Sequence, residues 1–177
     1  MRKRKMKLKP ENIVLLNQQH STSYLTATLG EYLIRHNLRL TTAESCTGGK
    51  LASALCAAND TPKFYGVGFV TFTDKAKAKI LGVSEHSLAE FTAVSETVVR
   101  QMAAGARERA GTDISIAITG YGGPEGGDDG TPAGTVWFGW NISGQPFTAV
   151  QQFSGDCEQV LAQSVRFALA QLLLLLP

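Results

Sequence analysis

The sequence predicts a three-layer α/β/α sandwich. Helical and strand patterns alternate along the chain, which is the signature of helices packed on a sheet. Two candidate strands are joined through a helix and must therefore run parallel. A chain of 177 residues with 44% hydrophobic composition can bury one substantial core but is short for two typical domains.

Residues 11 to 37 read as an approach helix, with Leu25, Leu29, Tyr32 and Leu33 on one face and Arg35-His36-Asn37 closing it. Leu38 to Thr42 is a first strand. It leads into the turn Thr42-Ala43-Glu44-Ser45-Cys46-Thr47-Gly48-Gly49, and Lys50 to Ala58 then carries Leu51, Ala52, Leu55 and Cys56 at helical spacing until Asn59-Asp60-Thr61-Pro62 ends it. Tyr65 to Thr73 is a near-continuous run of β formers, predicting an inner strand covered on both faces, with Gly66 and Gly68 marking close backbone approach. Asp74 caps a helix through Leu81 whose first turn holds Lys75 and Lys77. Lysines there oppose the helix dipole, so they extend into water or serve another purpose.

A short segment, Ser84 to Phe91, precedes Ser95-Glu96, a hydroxyl cap and first-turn acid opening a helix with Val98, Val99, Met102, Ala103 and Ala106 inward. Asp113 to Thr119 alternates Ile114, Ile116 and Ile118 with small residues, as a strand does. The loop from Gly120 to Gly130 is too glycine-rich to hold a fixed form without partners. It is either a mobile connection or a binding loop, and it contains no Walker motif or convincing dinucleotide fingerprint. Gly134 to Ile142 and Phe147 to Phe153 form a hairpin around Ser143-Gly144-Gln145-Pro146, a connection longer than the minimal two residues. A final helix starts at Asp156 and carries Val160, Leu161, Val165, Ala168, Leu169 and Leu172.

Charge divides the chain. Residues 1 to 10 carry six Lys or Arg and no acid, leaving −4 on the other 167 from a total of +2. The division reads as a basic N-terminal extension over residues 1–22 and a folded domain over 23–177. With no interleaved aromatics the extension makes a poor nucleic-acid surface, and no apolar stretch follows it as an export signal would require. The longest apolar run, Leu172 to Leu176, is far too short for a membrane span. Cys46, Cys56 and Cys157 have no metal spacing, and His20, His36 and His86 are scattered, so neither a metal nor another cofactor is inferred. Together these features favour a reducing, cytoplasmic setting.

Ser45 follows one strand and Lys77 lies just after another. If those strands are parallel neighbours, both side chains open toward the crevice at their carboxyl ends. A serine needs a base, and a lysine whose pKa is lowered by burial can supply it, with amides of Cys46-Thr47-Gly48 holding the oxyanion. Against this stand a turn that only caps a helix, an ordinary solvated Lys77, and Cys46 as a rival nucleophile at the same helix end.

The motifs Thr42-Ala43-Glu44-Ser45-Cys46-Thr47-Gly48-Gly49, Gly68-Phe69-Val70-Thr71, Lys77, Ala93-Val94-Ser95-Glu96, Gly123-Pro124 with Gly126-Gly127, and Gly134-Thr135-Val136-Trp137 occur in order. In this the chain resembles the CinA C-terminal-domain family over roughly residues 25 to 172. The resemblance implies a mixed, mostly parallel five-stranded sheet and nicotinamide mononucleotide deamidase chemistry: hydrolysis of the carboxamide to nicotinic acid mononucleotide and ammonia by a Ser-Lys pair without metal. It implies Ser45 and Lys77 as catalytic residues. Cys46, Thr47, Gly48, Gly49, Thr71, Thr119, Gly120 and Tyr121 are the candidate oxyanion or substrate contacts. The implied partner is a small-molecule pyridine nucleotide, with no membrane and no nucleic acid; a homo-oligomer is left open.

The chain departs from that pattern near the site. Phe72 stands where the family has a tyrosine able to relay a proton, and Asp74 adds a carboxylate that would hold Lys77 protonated. Thr131 and Cys157 stand where the family carries Lys and Arg, removing charges suited to a phosphate. Two functions follow: a working amidohydrolase, or a non-catalytic paralogue that binds a nucleotide or a protein partner on the old site.

Overall fold

Most helix starts in this computed structural model, which describes residues 20–177, are set by one side chain. Ser21, Thr73, Ser84, Ser95 and Asp156 open α1 (Thr22–Arg35), α3 (Asp74–Leu81), α4 (Glu85–Phe91), α5 (Glu96–Ala110) and α6 (Cys157–Leu175). Each accepts from the amide three residues on, satisfying a donor the helix cannot. The cap of α3 is therefore Thr73, and Asp74 is its first helical residue. Ser84 to Phe91, expected only as a short segment, forms a helix. The approach helix begins at Thr22; the earlier part of its expected span and most of the basic extension lie outside the described residues.

Five strands, β1 (Leu40–Glu44), β2 (Tyr65–Val70), β3 (Ile114–Gly120), β4 (Thr135–Ile142) and β5 (Gln145–Gln152), form one sheet in the order β2-β1-β3-β4-β5. β1 pairs parallel with β2 and β3, and β3-β4 and β4-β5 pair antiparallel. The sheet is mixed as expected, though its four pairings divide evenly instead of being mostly parallel. The β4-β5 hairpin turns in two residues, because Ile142 pairs with Gln145. Ser143 and Gly144 take φ of 52° and 90°, the left-handed pair that a tight hairpin needs.

β2 corrects the expectation of an inner strand: it lies at the sheet edge, with Val67 and Val70 exposed. Its apolar run predicts burial on both faces, yet only Tyr65 is buried there. The expectation for its glycines holds at Gly68, where an added Cβ would collide with the Tyr65 phenol and lie 2.7 Å from Thr42 Oγ1. Those two hydroxyls bond to each other at 2.7 Å.

The two faces are packed differently. Leu40, Ile114, Ile116, Ile118, Phe138 and Trp140 meet α1, α2 (Lys50–Cys56) and α6 on one side. Ala43 and Ala117 meet α3, α4 and α5 on the other. The Ile/small alternation of β3 thus sends bulk to one layer and lets α5 approach closely on the other. Ser115 Oγ donates to the Ala103 carbonyl at 2.6 Å, and a Cβ on Gly139 would lie 2.7 Å from the Val99 carbonyl oxygen. Parallel β1, β2 and β3 end together, and the connections that follow them meet at that edge.

Candidate active site

β1 delivers Ser45 to the sheet edge, where its amide donates to the Ile118 carbonyl of β3 at 3.0 Å. Gly48 and Gly49 then take φ of 54° and 100°, turning the chain into α2 within a few residues. Gly49, as the cap residue, has no side chain to offer. Glu44 takes over that role: its carboxylate, with no solvent exposure, accepts from the Leu51 and Ala52 amides at 2.9 and 3.0 Å. The positive end of α2 is thus matched by an internal anion. The capping reading of the turn thus holds for Glu44, an acid ahead of a helix whose own cap residue is glycine.

On the neighbouring strand, Thr71-Phe72-Thr73 links β2 to α3, and Lys77 reaches back across this link. Its ammonium carbon chain and nitrogen are enclosed, the residue being 1% exposed. Nζ stands 3.0 Å from Ser45 Oγ, 3.0 Å from the Thr71 carbonyl oxygen and 3.2 Å from that of Phe72. Carbonyls only accept, so they fix two of the N–H directions. The third direction faces Ser45, where a neutral amine presents its lone pair to the serine proton and an ammonium donates back to Oγ.

Burial lowers the Lys77 pKa below its ordinary value of 10.5, outweighing the opposing field of Asp74. Asp74 is exposed and makes no ion pair with Lys77, and its charge acts on the lysine only as a field opposing the effect of burial. The Phe72 side chain is 68% exposed, and its carbonyl is the part of it that bonds Lys77. Burial raises the Cys46 thiol to about 12, which keeps it protonated and removes it as a rival nucleophile.

The remaining candidates divide by what their polar atoms already do. Thr119 Oγ1 donates to the Ala93 carbonyl at 2.9 Å, and an added Cβ on Gly120 would lie 2.7 Å from the Thr135 carbonyl oxygen, so both serve the sheet. The Gly48 amide is bonded to the Ser45 carbonyl, whereas those of Cys46 and Thr47 have no backbone acceptor and lie against the Cys46 sulfur. Thr47 Oγ1 and Thr71 Oγ1 are buried and unpartnered at 1% residue exposure. Tyr121 makes no hydrogen bond to Ser45 or Lys77, and its phenol lies against Gly127. The glycine loop holds itself together: Gly127 and Gly130 amides donate to Thr131 and Gly127 carbonyls, and Tyr121 and Gly134 bond to Thr135 and Tyr121. Among the described residues no three His, Cys, Asp or Glu side chains converge as a metal-ligand set, and no helix is long and apolar enough to cross a membrane.

A family model described as the CinA C-terminal domain matches residues 22–176. Protein YdeJ of Escherichia coli (strain K12) is 67% identical over 171 residues, covering 97% of this chain and 99% of its own length. The nicotinamide-nucleotide amidohydrolase PncC of Enterobacter agglomerans is 43% identical over 146 residues, covering 82% and 89%. Among solved structures, a competence-damaged protein (CinA) superfamily protein from Escherichia coli aligns with a TM-score of 0.87 at 65% identity, covering 98% of this chain and 96% of that one. The competence/damage inducible protein CihA of Agrobacterium tumefaciens aligns at 0.82 and 32% identity, covering 95% and 98%. The match runs through nearly all the described residues, and the chain belongs to the CinA C-terminal domain family.

Proposed function

We propose that the protein is an amidohydrolase acting on the carboxamide of a pyridine nucleotide or a close relative of one. The observation that carries this reading is the buried Lys77 Nζ at 3.0 Å from Ser45 Oγ, with its other two hydrogens directed to carbonyls. Relatives at 43% and 40% identity named nicotinamide-nucleotide amidohydrolase support the substrate class.

In this mechanism neutral Lys77 takes the Ser45 proton as Oγ attacks the carboxamide carbon. The Cys46 and Thr47 amides, free of backbone acceptors, hold the developing oxyanion, each such donor contributing roughly 3 kcal/mol in known enzymes. The tetrahedral intermediate collapses, Lys77 returns the proton to the leaving nitrogen, and ammonia departs. Water, deprotonated by Lys77, then attacks the acyl-serine, releasing the carboxylic acid and restoring Ser45. Enclosure lowers the lysine's pKa and so favours the neutral form that begins each half of the cycle.

Ammonia release from nicotinamide mononucleotide and related carboxamides tests the reading. Ser45→Ala should lower kcat by about 10³-fold or more and Lys77→Ala by about 10²-fold or more, with folding checked by circular dichroism. A Ser45→Ala protein as active as the parent would falsify it. Turnover should rise with pH as Lys77 loses its proton, on a limb lying below pH 10.5, the ordinary lysine value. Tight ligand binding with no turnover would instead favour a non-catalytic paralogue.

A further inference from the structure

The turn that carries Ser45 has little stiffness of its own. Gly48 and Gly49 both stand at positive φ, and the glycine cap of α2 has no side chain to pin the helix start. What closes the turn is Glu44. Its carboxylate accepts from the Leu51 and Ala52 amides at 2.9 and 3.0 Å, so the chain from Glu44 to Leu51 is drawn into a ring with Ser45 and the Cys46 and Thr47 amides inside it. Its carbonyl accepts from the Thr71 amide at 2.9 Å, and the Thr71 carbonyl in turn accepts from Lys77 Nζ at 3.0 Å. One residue thus holds the nucleophile's turn through its side chain and the link that fixes the base through its backbone.

Capping alone does not call for this arrangement. The other α-helices of the described residues are capped by the exposed or half-buried residue directly before them, whereas α2 takes its acceptor from seven residues back, as a carboxylate with no solvent exposure. Burying a charge is costly, and a local serine would satisfy the same amides without that cost. What a local cap would not do is tie the two ends of the glycine turn together.

We propose that Glu44 is a positioning residue for the Ser45 reaction. By clamping the turn it holds Oγ at 3.0 Å from Lys77 Nζ and keeps the Cys46 and Thr47 amides in place before a substrate arrives. Donors fixed in advance need no reorganisation as charge develops, and a displacement of about 1 Å in such an arrangement costs on the order of a hundredfold in rate. The proposal rests on the reading of Ser45 as the nucleophile.

The test is the rate at which a fluorophosphonate labels Ser45, located by mass spectrometry, beside kcat and KM for ammonia release from nicotinamide mononucleotide. In the labelling step Ser45 Oγ bonds to phosphorus, fluoride leaves and the serine proton passes to Lys77. The rate therefore needs the nucleophile, the base and the turn but no carboxamide. Glu44→Gln keeps the side chain's shape but has one acceptor oxygen and turns an NH2 group toward the other amide. At a temperature where parent and variant are both fully folded by circular dichroism, the variant should label about tenfold to a hundredfold more slowly. Its kcat should fall by a similar factor with KM within about threefold of the parent. Glu44→Asp, which withdraws the carboxylate by one methylene, tests the same clamp if the glutamine variant does not fold. A folded variant that labels at the parent's rate overturns the proposal, as does a loss confined to KM, and both leave the amidohydrolase reading standing. A parent that labels at Ser45 without releasing ammonia retires the carboxamide reading, and the labelling rates then decide the role of Glu44. A parent that does neither overturns both.

Discussion

A carboxylate with no solvent exposure must be matched by donors, and Glu44 is matched by two amides that α2 cannot satisfy itself. Glu44→Ala should therefore destabilise the fold by about 2–3 kcal/mol in urea unfolding, since it removes charge-assisted bonds and leaves two buried N–H groups. Glu44→Gln, keeping one acceptor oxygen, should cost less. Lys77 makes a different demand on stability, and the sign follows from its lowered pKa. Between the folded value and 10.5 the unfolded chain binds more protons than the native one, so stability rises with pH. Unfolding free energies of the parent measured against Lys77→Met should shift in favour of the parent as pH climbs through that window; a flat difference would mean the lysine keeps its ordinary pKa. Ser45 and Lys77 are expected to share a crevice only if β1 and β2 are parallel neighbours, and they are, with the side chains 3.0 Å apart; their assignment as a reacting pair comes from the family resemblance. Glu44 is legible as a residue of a helix-entry turn but not as a buried one, because an acid before a turn looks the same whether it faces water or a helix end.

Among the elements, the helices were easier to read than the strands. Their caps are side chains visible in the sequence, as Ser95 and Asp156 illustrate, while a strand's place in a sheet depends on partners far along the chain. β2 shows the difficulty: Tyr65 to Val70 has the composition of a central strand but sits at the edge, and composition measures attraction to an interior without saying which strands are available to provide it. The β4-β5 turn was missed because Gln145-Pro146 resembles loop sequence, yet both residues pair within β5. Ser143 occupies its left-handed position at a steric cost that asparagine bears more easily. Ser143→Asn should thus raise stability by about 0.5 kcal/mol in thermal or urea unfolding, provided the Gly144 amide keeps its 2.9 Å bond to Asn141 Oδ1.

Across the whole molecule, the sheet's asymmetry does more than divide the core. α5 lies almost directly on the backbone of β3 and β4, with Ser115 and Gly139 permitting the approach. The same helix begins just after Ala93, whose carbonyl is held by Thr119 at the end of β3. One rigid rod therefore rests on a fulcrum in the middle of the sheet while its tip borders the crevice. Gly139→Ala would press a methyl group against the Val99 carbonyl and should cost about 1–3 kcal/mol through overpacking. Its larger signature would be mechanical: tilting the rod moves Ala93 and strains the Thr119 bond, so ligand affinity should fall although the substitution touches none of the candidate catalytic groups. Position 139 would thus act as a shim, its thickness setting the clearance at the far end of the lever.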